Sequence, residues 1–199
     1  METISSNRPK IVVIGSCNTD MVVKANRLPV PGETILGGTF YMNPGGKGAN
    51  QAIAAARLGA EVTFISKIGY DLFGLQALEI YRSEKINTEF IFTDQKSPSG
   101  VALISVDSFG ENSIIVAPGA SRSLSTEDIN KAEEKIKEAD IILMQLEVPI
   151  DTVEYAATIA NRYGKKVILN PAPASTLSNS FLNNVHTLSL IHISEPTRP

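Results

Sequence analysis

The segment NPGGKGANQAIAAARLGA, Asn43 to Ala60, places three glycines around one lysine and continues into an alanine-rich stretch. The glycines allow backbone N–H groups to approach a ligand closely, and a helix N-terminus attracts oxygen-rich groups. A helix from Lys47 to about Gly59 is predicted because apolar residues recur at one-face spacing, at Ala49, Ala52, Ile53 and Ala56. The segment therefore indicates a ligand-binding loop, although a tight turn into an ordinary helix would explain the same glycines.

Two common phosphate-binding motifs do not match this loop. A P-loop needs a glycine five residues before Gly46 and a hydroxyl residue after Lys47, and the chain has Tyr41 and Gly48 there. A dinucleotide fingerprint needs three glycines after the first strand, and IGSCNTD contains only Gly15. The latter mismatch argues against a nicotinamide-cofactor enzyme.

Strand-like and helix-like segments alternate along most of the chain. The buried-type strands are KIVVIG (10–15), EVTFISKIG (61–69), DIILMQLE (140–147) and KKVILNP (165–171). Besides the glycine-loop helix, the predicted helices are DLFGLQALEIYRSEK (71–85), TEDINKAEEKIKEA (126–139) and DTVEYAATIANRYG (151–164). The second of these begins with a capping box of Ser125 and Asp128. This order predicts an α/β fold with a mostly parallel sheet and helices on both of its faces.

Other segments interrupt this alternation and predict a second, smaller β-sheet. After a loop, SCNTD (16–20), residues 21–43 contain strand-like pieces broken by proline and glycine. SGVALISVD (99–107) and NSIIVAP (112–118) form a predicted hairpin through SFGE, and TEFIFTD (88–94) could extend the same sheet. We expect the strands of the small sheet within about 19–43 and 98–118.

Composition excludes several classes of function. A formal charge of −3 and scattered basic residues argue against nucleic acid as a partner, and no apolar run is long enough to cross a membrane. Cys17 is the single cysteine, and the N-terminus lacks the apolar core of a signal peptide, so we expect a cytoplasmic protein. The two histidines, His186 and His192, lie near the C-terminus, so we expect no histidine-based metal site in the main body.

The glycine-rich segment closely resembles the first signature of the ribokinase-like sugar kinases, the phosphofructokinase B family. GSCNTDMVV, RLPVPGET, MQLEVP and LNPAPA match the same family in order and approximate spacing, and the resemblance covers about Lys10 to Val185. It implies a ribokinase-like, Rossmann-like α/β fold. It also implies that the small sheet is a lid that covers a sugar and pairs two subunits into a homodimer.

The resemblance implies a set of sugar-binding residues: Asn18, Asp20, Gly46, Lys47, Gly48, Asn50 and Glu147. Carboxylates accept hydrogen bonds from sugar hydroxyls, and an amide both donates and accepts. Without the resemblance, Asn18 and Asp20 would be interpreted as a turn and Glu147 as a surface charge. No catalytic residue and no metal ligand is expected in this chain.

The implied reaction is transfer of the ATP γ-phosphoryl group to O5 of D-ribose, giving ribose 5-phosphate. ATP and Mg²⁺ are the implied cofactors, and activation by a monovalent cation is left open. Deoxyribokinases, fructokinases and nucleoside kinases carry similar glycine signatures and are alternatives. The combination of NTD, GGKGAN and MQLE favours ribose.

The chain departs from the family pattern after about residue 187. It contains neither Gly-Ala-Gly-Asp, whose aspartate is the family's catalytic base, nor Asn-Glu-x-Glu, and it ends in LSLIHISEPTRP (188–199). We expect residues 1–187 to be the N-terminal part of a ribokinase-like domain without its ATP site, and therefore inactive. Residues 188–199 are either a real strand followed by a polar tail or the conceptual translation of a sequencing-library adaptor. We favour the adaptor. A non-catalytic protein that binds sugar or pairs through its lid is the alternative function.

Overall fold

The computed structural model describes residues 8–190, which form ten strands and six α-helices. In chain order these are β1 (Lys10–Ile14), β2 (Asn18–Lys24), β3 (Thr39–Gly45), α1 (Lys47–Arg57), β4 (Glu61–Gly69), α2 (Leu72–Ser83), β5 (Ile91–Asp94), β6 (Gly100–Val106), β7 (Asn112–Ala117), α3 (Thr126–Lys131), α4 (Glu133–Glu138), β8 (Ile141–Gln145), α5 (Ile150–Arg162), β9 (Lys166–Asn170), α6 (Asn179–Leu182) and β10 (Thr187–Leu188). A 3₁₀ helix at Gly119–Ser123 connects β7 to α3.

The larger sheet is parallel throughout and has the strand order β10-β9-β8-β1-β4-β5. Side chains alternate between its two faces, so Val12 and Ile14 pack with α3, α4 and α5, whereas Val13 packs with α1 and α2. Helices therefore cover both faces, and the predicted α/β architecture is confirmed.

The smaller sheet is mixed and has the order β3-β2-β6-β7. Its β6–β7 hairpin forms as expected, but two expectations about neighbouring segments are wrong. Residues 18–20 of the expected loop SCNTD belong to β2, because they pair with both β3 and β6. Strand β5 joins the larger sheet, because residues 91–94 pair in parallel with 66–69 of β4.

The 126–139 segment begins as predicted but does not form one helix. Ser125 and Asp128 make the predicted capping box, and the predicted apolar face is buried at Ile129, Ala132, Ile136 and Ala139. Ala132, with φ −100° and ψ 5°, separates α3 from α4. The apolar periodicity survives this break because both short helices pack on α5.

Helix α1 buries a slightly different stripe from the predicted one. Ala49 and Ala52 are buried, but Ala55 is buried more deeply than the predicted Ile53 and Ala56. Gly48 is also buried, and it lies directly against the backbone after β1. The helix therefore begins in contact with the carboxyl end of β1.

The face of β8 and β9 beside α1 is less covered than the rest of the sheet. Ile141, Leu143 and Ile168 are half-buried there and line an apolar cavity of about 400 Å³ together with residues of α1. Leu188 lies in the short strand β10, which pairs with β9. The segment 191–199 lies outside the described residues, so the proposed start of a non-family segment at Leu188 stays a prediction.

None of the helices within residues 8–190 combines the length and apolar character needed to span a bilayer.

Candidate functional site

Three loops meet at the carboxyl edge of the parallel sheet. Ser16 follows β1, Glu147 follows β8, and Lys47 is the first residue of α1. The loops after parallel strands emerge at one edge of an open α/β sheet, where such folds bind their ligands. Chain topology therefore brings together residues about one hundred positions apart.

Glu147 is the centre of the polar contacts at this edge. Its Oε2 accepts a hydrogen bond from Ser16 Oγ at 2.5 Å and from the Lys47 backbone N–H at 2.9 Å. Its Oε1 lies 3.6 Å from Lys47 Nζ. The N-cap residue of α1 is Gly46, which has no side chain to cap the helix, so the Glu147 carboxylate occupies the positive end of α1.

These residues open onto a cavity of about 410 Å³, within the usual range for small-molecule sites of roughly 300–1,000 Å³. Its lining joins the edge of the larger sheet, the smaller sheet and the loop after β9: Ser16, Asn18, Lys47, Val116, Pro118, Arg122, Leu146, Glu147, Ala172 and Pro173. Three of the predicted sugar-binding residues, Asn18, Lys47 and Glu147, share this lining.

Asn18 carries an unsatisfied polar atom in this lining. The residue is only 7% exposed, and its Oδ1 has no hydrogen-bond partner among the described residues. A Cβ added at Gly100 would overlap this oxygen, so strand β6 needs a glycine beside it. The close approach of Gly100 shields this oxygen from solvent.

Asp20 lies on β2, opposite Asn43 of β3, and outside the cavity lining. Burial and the negative charge of Glu147 raise the pKa of its carboxyl, and the positive charge of Lys47 opposes this rise. The Asp20 carboxylate lies against Gly45, two residues before α1 begins.

The remaining predicted residues have different surroundings. Gly46 has φ 91°, a conformation that L side chains rarely adopt, and this allows the sharp entry into α1. Gly48 is buried, whereas Asn50 is exposed and does not line the cavity. Gly46 and Gly48 therefore shape the loop, and the structure does not bring Asn50 to the lining.

Replacing Gly48 with alanine should destabilise the protein. A Cβ there would lie 2.7 Å from the backbone carbonyl carbon of Gly15 and from Ser16 N and O. In an open helix, glycine to alanine is stabilising by about 1 kcal/mol. Here we expect a loss of about 2 kcal/mol from overpacking, measured by urea unfolding. Asn50→Ala, at an exposed position of the same helix, is the control, and a stabilised Gly48→Ala protein would contradict the packing described.

The sequence reasoning missed several residues of the lining. Ser16 and Arg122 were not predicted, and Arg122 adds a second cation to the one supplied by Lys47. Ala172 and Pro173 lie within LNPAPA, so that motif was a usable signal for them. Ser16 lies within GSCNTDMVV, so that motif was a usable signal for it, whereas no quoted motif contains Arg122.

Cys17 is buried next to the site, as expected of a core thiol. It is 3% exposed, and burial raises the pKa of its thiol to about 11, against the opposing hydrogen bonds of Ser66, Tyr81 and Ser121. The thiol therefore stays protonated at neutral pH and is a poor nucleophile.

Within residues 8–190, no group of three or more histidine, cysteine, aspartate or glutamate side chains is placed to hold a metal ion.

Comparison with known proteins identifies relatives of this site and fold. A ribokinase from Haemophilus influenzae is 44% identical over 182 residues, covering 92% of this chain and 60% of the relative. A deoxyribokinase from Salmonella typhi is 42% identical over 164 residues, covering 82% of this chain and 54% of the relative. The chain thus spans little more than half the length of these relatives.

A solved structure shows the same architecture. The ribokinase of Arabidopsis thaliana, complexed with ribose and ATP, matches with a TM-score of 0.79 and 32% identity, covering 92% of this chain and 60% of that protein. The sequence profile of the pfkB family carbohydrate kinases matches residues 8–198. The chain belongs to the pfkB family of carbohydrate kinases.

Proposed function

We propose that the cavity beside Glu147 binds D-ribose and that this chain supplies the sugar-binding part of an ATP-dependent ribokinase, which produces ribose 5-phosphate. The observation that carries the proposal is the shared lining of Asn18, Lys47 and Glu147, which places an amide, an ammonium and a carboxylate around one cavity. A neutral polyol matches this set, since its hydroxyls can donate to Asn18 and Glu147 and accept from Lys47.

The relatives support ribose as the sugar. The ribokinases of Haemophilus and Arabidopsis resemble the chain over 92% of its length, and the Arabidopsis protein was solved with ribose and ATP. In this proposal ATP and Mg²⁺ belong to the reaction of the whole enzyme.

Titration calorimetry of the purified chain with D-ribose tests the proposal. We expect saturable binding of ribose and at least about tenfold weaker binding of 2-deoxyribose, because a site that hydrogen-bonds a hydroxyl rejects an analogue without it. Fructose is the control for a general affinity for sugars. Equal or tighter binding of 2-deoxyribose would favour the second candidate, a deoxyribokinase, which the 42% identity to the Salmonella protein supports.

We further propose that the 199-residue chain binds sugar without phosphorylating it. Its sequence has no Gly-Ala-Gly-Asp motif, which carries the catalytic base in the resemblance described above. Incubation with ribose, ATP and Mg²⁺ should give no ribose 5-phosphate above a mock preparation. Product above that background would overturn this part of the proposal and leave ribose binding intact.

We propose that the smaller sheet is a lid and that it pairs two copies of the chain. One of its faces exposes Phe40, Met42, Leu103 and Ile115, and Ile115 is 71% exposed. A contiguous apolar sheet face of this kind is typical of a protein interface. Its closeness to the cavity, through Val116 on the same strand, would link pairing to sugar binding.

The double substitution Leu103→Lys/Ile115→Lys should convert a dimer into a monomer. The two side chains are directly opposite each other on β6 and β7, so two lysines would place like charges in the interface. Light scattering with size-exclusion chromatography gives the mass. Phe109→Lys, at the exposed tip of the same hairpin, is the control. A monomeric unsubstituted chain, or a double variant that stays dimeric, would contradict the pairing.

A further inference from the structure

Glu147 is held by Ser16, which lies within the motif GSCNTDMVV but was not among the predicted sugar-binding residues. Ser16 is 1% exposed, and its Oγ donates to Glu147 Oε2 at 2.5 Å, across 131 residues of sequence. A serine hydroxyl at this distance makes a charge-assisted hydrogen bond, which is shorter and stronger than a neutral one. The contact joins the loop after β1 to the loop after β8.

The backbone around Ser16 is fixed independently of this contact. Its carbonyl oxygen accepts the Ala49 N–H at 2.9 Å, and Gly48 lies directly against its backbone. The hydroxyl therefore projects from a backbone segment after β1 that is anchored to the start of α1. A hydrogen-bond donor on a rigid backbone can fix a flexible carboxylate. A donor on a flexible backbone could not do so.

The contact also sets which oxygen of Glu147 faces which group. Ser16 Oγ and the Lys47 N–H both donate to Oε2, and Oε1 faces Lys47 Nζ at 3.6 Å. Two donors on Oε2 stop the carboxylate from rotating and keep Oε1 on the side of the lysine ammonium. Without Ser16, a single backbone donor would hold the carboxylate.

We propose that Ser16 is a positioning residue that fixes the Glu147 carboxylate for ligand binding. The effect on affinity rests on the proposed binding of ribose, but the effect on the carboxylate does not. The test therefore uses two measurements, one of the carboxylate without ligand and one of the affinity for D-ribose.

The ligand-free measurement follows the Lys47 backbone amide by ¹⁵N–¹H NMR and hydrogen exchange. In Ser16→Ala the carboxylate should leave this amide part of the time, so its proton resonance should move upfield and its exchange should accelerate at least about threefold. Ser66→Ala is the matched control, because Ser66 is also buried and donates at 2.7 Å to Gly15 O in the same loop. An unchanged Lys47 amide in Ser16→Ala, or an equal change in both variants, would overturn the proposal.

The second measurement is D-ribose affinity by ligand-observed NMR. Loss of one hydrogen bond to a charged group should weaken binding about tenfold in Ser16→Ala and less in Ser16→Cys, which keeps a weak donor. In a Glu147→Ala background the Ser16 substitution should have less than about a twofold effect, since a residue that acts through another is not additive with it. If the effects of the Ser16 and Glu147 substitutions on ribose affinity were fully additive, Ser16 would act independently of Glu147, and the proposal would be overturned. If the unsubstituted chain fails to bind ribose, the proposed function fails, and the Lys47 amide still decides the role of Ser16.

Discussion

Glu147→Ala should weaken D-ribose binding by about 100-fold, the loss expected when two strong hydrogen bonds to a charged group disappear. The substitution removes the acceptor for ligand hydroxyls and also leaves the Lys47 N–H and Ser16 Oγ without their partner. It would also remove the charge that balances the Lys47 ammonium. Titration calorimetry, supported by ligand-observed NMR for the weaker variant, gives both affinities.

The control for this experiment is Asp151→Ala. Asp151 is an exposed carboxylate in the first turn of α5, four residues after Glu147, and it does not line the cavity. Its removal should change ribose affinity by less than about twofold, because exposed charges contribute little. A Glu147→Ala protein that binds ribose within threefold of the unsubstituted chain would show that the ligand lies elsewhere.

Asp128→Asn should reduce the free energy of unfolding by about 2–3 kcal/mol at pH 7, near the lower end of the cost of breaking a buried ion pair. Asp128 Oδ2 lies 2.8 Å from Lys67 Nζ, and the two side chains are 6% and 17% exposed. The substitution keeps the shape of the side chain and removes its charge, which leaves the lysine ammonium with the Ser123 carbonyl oxygen as its remaining close partner. Urea unfolding measures the difference.

The loss of unfolding free energy in Asp128→Asn should become smaller at low pH. Burial opposes ionisation of Asp128, but hydrogen bonds from Lys67 and the Ser125 backbone, with the positive charge of Lys67, hold the pKa of its carboxyl below the usual range. A depressed pKa stabilises the folded state fully above the unfolded value of about 3.9, and this contribution is lost as the pH falls through the folded value. The difference between the two proteins should therefore be constant near neutrality and shrink below about pH 4.

A surface pair supplies the matched control for Asp128. Glu134 Oε2 lies 3.4 Å from Lys137 Nζ on α4, and its side chain is 74% exposed. Glu134→Gln should cost less than about 0.5 kcal/mol at any pH. If Asp128→Asn were equally mild, the Lys67–Asp128 pair would not stabilise the junction between β4 and α3.

Much of the fold was predictable because its signals are local. The strand from Lys10 to Ile14 is a continuous apolar run, which indicates burial on both faces, and it lies inside the parallel sheet. The capping box of Ser125 and Asp128 needs only residues three positions apart. Patterns of this kind survive folding because packing reinforces them.

The errors arose where a distant segment decides the structure. Residues 91–94 form a short strand, and nothing in its own sequence identifies the strand with which it pairs. It pairs with β4 of the larger sheet and not with the smaller sheet. The buried stripe of α1 includes Ala55, and Gly48 of the same helix contacts the backbone after β1. The hydrogen bond from Ser16 to Glu147 was not predicted for the same reason, because the two residues are 131 positions apart in the sequence.

The site itself was predictable only in part. The family resemblance named Asn18, Lys47 and Glu147, which line one cavity, and also Asn50, which is exposed on α1. Residue type and spacing could not show that the Asn18 side-chain oxygen is buried without a partner among the described residues, because this depends on the close approach of Gly100 from β6. The resemblance supplied the chemistry, and the three-dimensional structure shows which groups converge.

The central claim is that D-ribose binds in the cavity formed by Asn18, Lys47 and Glu147. The most direct test is a titration of the ¹⁵N-labelled chain with D-ribose, followed by NMR at the Asn18 side-chain amide and the Lys47 backbone amide. The account predicts saturable shifts at both positions with one affinity, and no shift at the side-chain amide of Asn184, which lies far along the chain and outside the cavity lining. Saturable ribose binding that leaves Asn18 and Lys47 unshifted, or the absence of binding, would contradict it.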